Sequence, residues 1–154
     1  MQPDDLRGLD STDRRLLAAL DIDPRRSTAN LADMLGLARG TVHTRLERLK
    51  AMALRANSVR IAPEMLGYFT RAYVSLELSQ GALDRVVDHL RSIPEVVETV
   101  AISGREDLMC EVLARDNDHL YEIGQRILAE AGVQRTVTSI VLREHISQRV
   151  RQLL

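Results

Sequence analysis

LADMLGLARGTVHTRLERLK, residues 31–50, decides how the first third of this chain is read. Leu31, Ala32 and Leu35 fall on one side of a short helix entered from Ser27, whose hydroxyl can accept from a free amide of the first turn. Gly36 then supplies a residue that takes left-handed geometry after the helix. Leu37 and Ala38 form the turn. From Arg39 a further helix begins, with Val42, Leu46 and Leu49 at spacings of four and three, one buried stripe. Two helices joined by so short a turn cross steeply and leave the second one exposed. Ala38 is a weak start for that helix: without a Ser or Thr oxygen it costs about 1 kcal/mol unless Thr41 or packing compensates.

Working outward, LDSTDRRLLAALDIDP (9–24) opens with Asp10 three residues before Asp13, a side-chain capping pair, and continues as a helix through Leu16, Leu17 and Leu20. Pro24 disfavours helical geometry at Asp23 and ends it. Downstream, Val59 and Ile61 alternate with Ser58, Arg60 and Ala62, which predicts a connecting strand closed by Pro63 or, equally, an extended linker.

From Phe69 the pattern changes to strand, helix, strand, strand, helix, strand. Ala72, Val74, Leu76 and Leu78 alternate; Leu83, Val86, Val87 and Leu90 form a helical stripe ending near Pro94. VVETVAIS (96–103) and LMCEVLAR (108–115) flank a tight Gly/Asp turn as a hairpin. Asp116, Asn117 or Asp118 caps a helix through Leu120, Ile123, Ile127 and Leu128, and VQRTVTSIVL (133–142) closes the set after Gly132. This βαββαβ order predicts a ferredoxin-like domain of four antiparallel strands with two helices on one face, so the chain is of the α+β class. The other face is left for a second subunit. The domains are expected at 1–55 (helix-turn-helix), 56–68 (connecting strand or linker) and 69–154 (dimerisation and sensing).

Composition narrows the function. Trp is absent and Phe69 stands with three Tyr, too few stacking surfaces for a single-strand or RNA binder. The net charge of −1 hides an asymmetry: residues 1–60 carry 11 basic and 8 acidic side chains, residues 61–154 carry 10 and 14. Within 39–50, Arg39, Arg45, Arg48 and Lys50 face only Glu47. Cys110 is alone, and no Cys/His cluster provides a structural metal site. The polar, acidic start and the lack of a long apolar run predict a cytoplasmic protein without a membrane partner. No nucleophile elbow, phosphate loop or dinucleotide fingerprint occurs, so no enzyme activity and no cofactor are expected.

The order of these segments resembles a known family. LDSTDRRLLAALDIDPR, the helix-turn-helix quoted above, RIAPEMLGY (60–68), IPEVVETVAISGREDLMCEV (93–112) and GVQRTVTSIVL (132–142) are similar, over residues 9–142, to the leucine-responsive regulator and asparagine-synthesis activator (Lrp/AsnC, feast/famine) group. The resemblance implies a winged-type helix-turn-helix, sequence-specific binding of double-stranded promoter DNA, and transcription regulation tuned by an amino acid or related small molecule. It also implies a homodimer, commonly assembling to octamers or other higher oligomers, in a bacterial or archaeal cytoplasm in association with the nucleoid. Two departures stand out. Ala38 replaces the usual Ser, and Ala53, Leu54 and Arg55 replace a Gly-Val-Ile type of exit from the third helix.

The expected DNA-binding residues are Arg39, Gly40, Thr41, His43 and Thr44 in the turns that enter the major groove, with Arg45, Arg48 and Lys50. Arg45 and Arg48 either touch phosphates or tie the headpiece together. The resemblance places an effector near the turn Ser103, Gly104, Arg105, Glu106 and Asp107, where Gly104 exposes backbone donors to a carboxylate and Asp107 accepts from an ammonium. Hairpin closure explains the same residues almost equally well. Thr136, Thr138 and Ser139 are weaker members. Two rivals remain: a sensing scaffold whose headpiece has lost DNA affinity, and a small ferredoxin-like enzyme, for which no catalytic constellation is found.

Overall fold

The computed structural model describes residues 8–55 and 57–154, which divide into two compact units. One runs to Arg60 and takes in Ile146–Leu154; the other is Ile61–His145.

In the first unit, helix α1 spans Ser11–Ile22, α2 Thr28–Leu35 and α3 Arg39–Met52. The start of α1 is a reciprocal box: the Asp13 amide donates to Asp10 Oδ1 at 2.8 Å and the Asp10 amide to Asp13 Oδ2 at 3.2 Å. Ser27 caps α2 through the Asn30 amide at 3.2 Å, and Gly36 follows at φ +67°. Leu16, Ala19, Leu31, Ala32, Val42, Leu46 and Leu49 form the core. Each fully buried leucine among them is worth about 1.5–3 kcal/mol, which makes this apolar stripe the main support of a small helical unit.

The strand expected at 58–62 does not form. Residues Asn57–Arg60 and Pro63–Leu66 are 3-10 turns, the second closed by Gly67 at φ +85°. A strand needs a partner edge, and none of the four sheet strands pairs with these residues. The described part of the helical unit has no wing strand either. The tail, expected with the sensing domain, is grouped by its contacts with the helices: Arg14 Nη1 donates to the Leu153 carbonyl at 2.7 Å, and Arg151 lies 3.9 Å from Asp21.

The second unit follows the expected order: β1 Thr70–Leu78, α4 Leu83–Arg91, β2 Val96–Ala101, β3 Leu108–Ala114, α5 Asn117–Leu128 and β4 Val133–Ile140. The sheet runs β2-β3-β1-β4, all antiparallel. Ala72, Val74 and Leu76 of β1 and the alternate residues Leu108, Cys110, Val112 and Ala114 of β3 pack against Val86 and Leu90 of α4 and Leu120, Ile123 and Ile127 of α5. Leu83 departs from the expected stripe and is exposed. Of the three possible caps for α5, Asp116 serves, accepting from the His119 amide at 2.7 Å.

Candidate nucleic-acid interface and effector turn

Helix α3 has two opposed faces. Val42, Leu46 and Leu49 are buried, whereas Arg39, Gly40, Thr41, His43, Thr44, Glu47, Arg48 and Lys50 are exposed and Arg45 is half-buried. Its first turn receives no side-chain cap, from Ala38 or from Thr41, so the missing hydroxyl is not replaced. A Cβ on Gly40 would meet nothing within 4 Å, so the backbone there is open to close approach. At the other end, Ala53 leaves the helix at φ −120°, and the Leu49 carbonyl accepts from the amides of Ala53 at 2.8 Å and Leu54 at 2.9 Å. The exit therefore avoids the left-handed conformation that a glycine would favour.

The charges on α3 are mostly committed. Arg45 Nη1 reaches Asp10 Oδ2 at 2.6 Å and Asp13 Oδ1 at 2.8 Å, and Arg48 Nη2 donates to Asp13 Oδ2. Of the two roles open to these arginines, the structure shows the internal tie. Asp13 is fully buried on α1, where burial raises its pKa but the hydrogen bonds from Arg48 and Arg45 outweigh that and hold it below the ordinary carboxylate value. Asp10 is lowered by the Asp13 amide and by Arg45. Arg45 is raised in turn by Asp10 and Asp13. Lys50 pairs with Glu47 at 2.7 Å and lowers its pKa. Arg39 has no ion pair or hydrogen-bonding partner among the described residues. Asp10, Gly40, Thr41, Thr44, Arg45 and Arg48 together line a shallow, open groove.

Sequence reading found Asp13 as a capping partner but missed its burial and its ion pairs with Arg45 and Arg48, yet a signal existed. Asp13 lies three and seven residues before Leu16 and Leu20, on the apolar stripe of α1, where a carboxylate is costly unless a cation meets it.

In the second unit the turn Ser103–Asp107 joins β2 and β3. Gly104 has φ +136°, and Ser103, Arg105 and Asp107 are exposed while Glu106 is half-buried. Asp107 is bound on three sides: its amide donates to Leu76 O at 2.8 Å, its carbonyl accepts from Ile102 at 3.0 Å, and its Oδ2 accepts from the Leu78 amide at 2.7 Å. The turn is thereby stapled to the end of β1. On β4, Thr136 pairs with Leu76, Thr138 with Val74 and Ser139 with Tyr73. Alternation puts Thr136 and Thr138 on the helix side of the sheet and Ser139 on the other, so the three do not share one face.

His119, adjacent to Asp118 but not facing it, is buried. Its Nδ1 accepts from the Arg115 amide at 3.2 Å and its Nε2 lies 3.4 Å from Glu95 Oε1, with Tyr68 packed at 6.5 Å between ring centroids. Arg126 holds the other Glu95 oxygen at 3.1 Å. Burial raises the Glu95 pKa, but a backbone hydrogen bond and Arg126 bring it below the usual value. These contacts join α5 to the start of β2. No group of His, Cys, Asp and Glu among the described residues is placed to hold a metal ion, and no described helix is long and apolar enough to cross a membrane.

A short-turn helix pair with its second helix exposed is the arrangement of a helix-turn-helix DNA-binding protein, carried here with a ferredoxin-like α/β unit. Residues 9–50 match the model of the AsnC-type helix-turn-helix domain and residues 71–150 that of the Lrp/AsnC ligand binding domain. The chain belongs to the Lrp/AsnC family of transcriptional regulators. It is 32% identical over 145 residues to the HTH-type transcriptional regulator AldR of Mycolicibacterium smegmatis, covering 91% of this chain and 84% of that one. The structure of Escherichia coli AsnC superposes with a TM-score of 0.83 at 27% identity, over 94% of this chain and 99% of that one. A regulator from Neisseria meningitidis, solved as its complex with L-Met, shares the fold with a TM-score of 0.80 at 24% identity, over 96% and 100% of the two chains.

Proposed function

We propose that this regulator reads promoter DNA through the first turns of α3, with Arg39, His43 and Thr44 at base edges and the backbone at Gly40 and Thr41 close to the duplex. The observation that carries the reading is the division of α3 into a buried Val42/Leu46/Leu49 stripe and an open N-terminal face on which Arg39 is unpaired among the described residues. An Arg fork reads guanine, and a His or Thr adds a base or phosphate contact at the same depth. Arg45 and Arg48 shape the headpiece, and Lys50 lies beyond the entering turns.

The second unit binds an amino acid near Ser103–Asp107. Support comes from the ligand-binding family model, from Gly104 in its positive-φ conformation, and from a carboxylate at Asp107 with Oδ1 left for an ammonium. Arg105 and Glu106 border the turn, and Thr136 lies across β1 from it. The working species is a homodimer formed over the sheet face that the helices leave uncovered, able to assemble further, in the cytoplasm. Selection of sites from a random duplex pool, with and without an amino-acid panel beginning with L-Met, tests both halves. Enrichment of one motif with an amino-acid-dependent yield is expected. A pool that stays random refutes the base-reading assignment, and a motif indifferent to every amino acid refutes the effector assignment.

A further inference from the structure

The formal charge of the exposed helix overstates what it offers to DNA. Of the four cations in residues 39–50, Lys50 is paired with Glu47, and Arg45 and Arg48 are held by Asp10 and Asp13, two positive charges against two negative. Of these four, Arg39 alone has no partner among the described residues. The compensation is built in: Asp13 has no exposure, and Arg45 Nη1 bridges two carboxylates that also cap α1. Arg45 and Arg48 nevertheless line the same open groove as Gly40, Thr41 and Thr44, so a released guanidinium would meet the DNA backbone beside the reading face.

We propose that Asp10 and Asp13 are specificity-determining residues that neutralise Arg45 and Arg48 and so keep the headpiece's affinity for arbitrary DNA low. Non-specific affinity comes almost wholly from phosphate neutralisation and counterion release, whereas base contacts at Arg39, His43 and Thr44 do not depend on those two arginines. The clamp lowers the first without touching the second, and the ratio of specific to random binding rises. This inference rests on the DNA-reading role of α3 and extends it to residues on α1.

Asp10→Asn isolates the charge. Asn caps a helix start as well as Asp, and its Oδ1 can keep the bond from the Asp13 amide, but the amide nitrogen in place of Oδ2 no longer attracts Arg45. The measurement is the affinity of the full-length protein for a random-sequence duplex from 50 to 300 mM KCl, with far-UV circular dichroism as the folding control. Asp10→Asn is expected to bind about 3- to 10-fold tighter near 100 mM salt, with log K against log salt steeper by about 0.9, one phosphate's worth. Adding Arg45→Gln to Asp10→Asn is expected to restore the native slope, a rescue that a loss of folding cannot mimic. An unchanged or shallower slope in Asp10→Asn, or a double variant that stays steep, overturns the clamp while leaving the DNA-reading role intact. A native protein with no duplex affinity at any salt overturns both.

Discussion

Gly132 precedes β4, and its place is set by helix α4. A Cβ built on it would lie 2.6 Å from the Ala82 Cβ and 2.8 Å from Val86 Cγ2, closer than carbon atoms come without movement. Neither neighbour is a flexible side-chain end: Ala82 and Val86 are both buried, and the Gly132 carbonyl is held by the Ser79 amide at 2.9 Å. Gly132→Ala must therefore push α4 away from the start of β4. Overpacking of this kind costs about 1–3 kcal/mol. In a unit the size of Ile61–His145, each kcal/mol moves Tm by roughly 4–8 °C. The expected result is a fall of at least about 4 °C in the transition of the second unit, read by differential scanning calorimetry, with the helical unit unaffected. Gly124 is the control. It lies within α5 with nothing near its missing Cβ, so Gly124→Ala is expected to stabilise by about 0.4–1 kcal/mol. If Gly132→Ala melts within 1 °C of the native protein, the close-approach argument is wrong.

Arg39→Ala and His43→Ala are each expected to relax sequence discrimination by about 1–3 kcal/mol, measured as the affinity ratio between a selected site and random duplex; equal losses on both DNAs would count against base reading. Arg48→Ala is expected to lower the melting temperature of the helical unit, because it leaves the buried Asp13 with one cation fewer; an unchanged melt would show that the tie is energetically idle. Asp10 and Asp13 are held below the ordinary carboxylate value in the folded chain, so their contribution to stability is present above about pH 4 and is lost as pH falls through their folded values. An acid titration followed by circular dichroism should show Asp13→Asn to be less stable near neutrality and less sensitive to acid; parallel curves would exclude the linkage. Asp107→Ala removes the bond from the Leu78 amide and is expected to destabilise the second unit and abolish amino-acid-dependent changes in sedimentation; a lower Tm with the response intact would assign Asp107 to hairpin closure alone.

The parts of this fold that were readable are those in which one element carries its own evidence. Alternation through Ala72–Leu76 and Leu108–Ala114 marks a sheet with one covered face, and Gly36 marks the turn before α3. The parts that were not readable depend on a partner distant in the chain. Val59 and Ile61 alternate like a strand, but alternation does not supply a neighbouring edge, and the chain turned into 3-10 geometry instead. Arg45 and Arg48 read equally as phosphate contacts or as an internal tie, and the choice needs Asp13, 32 residues upstream of Arg45, to be placed beneath them. Likewise Asp107 reads as a ligand for an ammonium or as an acceptor of local turn amides, but not as a partner of the Leu78 amide, which only the register of β1 and β3 brings to it. For the effector turn, hairpin chemistry and ligand chemistry call for the same residue types, so composition alone does not divide them.

The return of Ile146–Leu154 to the helical unit makes that unit discontinuous in sequence, with the sensing unit inserted between Arg60 and Ile146. For experiment, the last nine residues and helix α1 belong to the same body. A fusion or deletion at the last nine residues is then an edit of the DNA-reading headpiece, made at Arg14 and Asp21 of α1 through Leu153 and Arg151. Excising the sensor requires two cuts rather than one, and a headpiece fragment ended at residue 60 lacks part of its own surface.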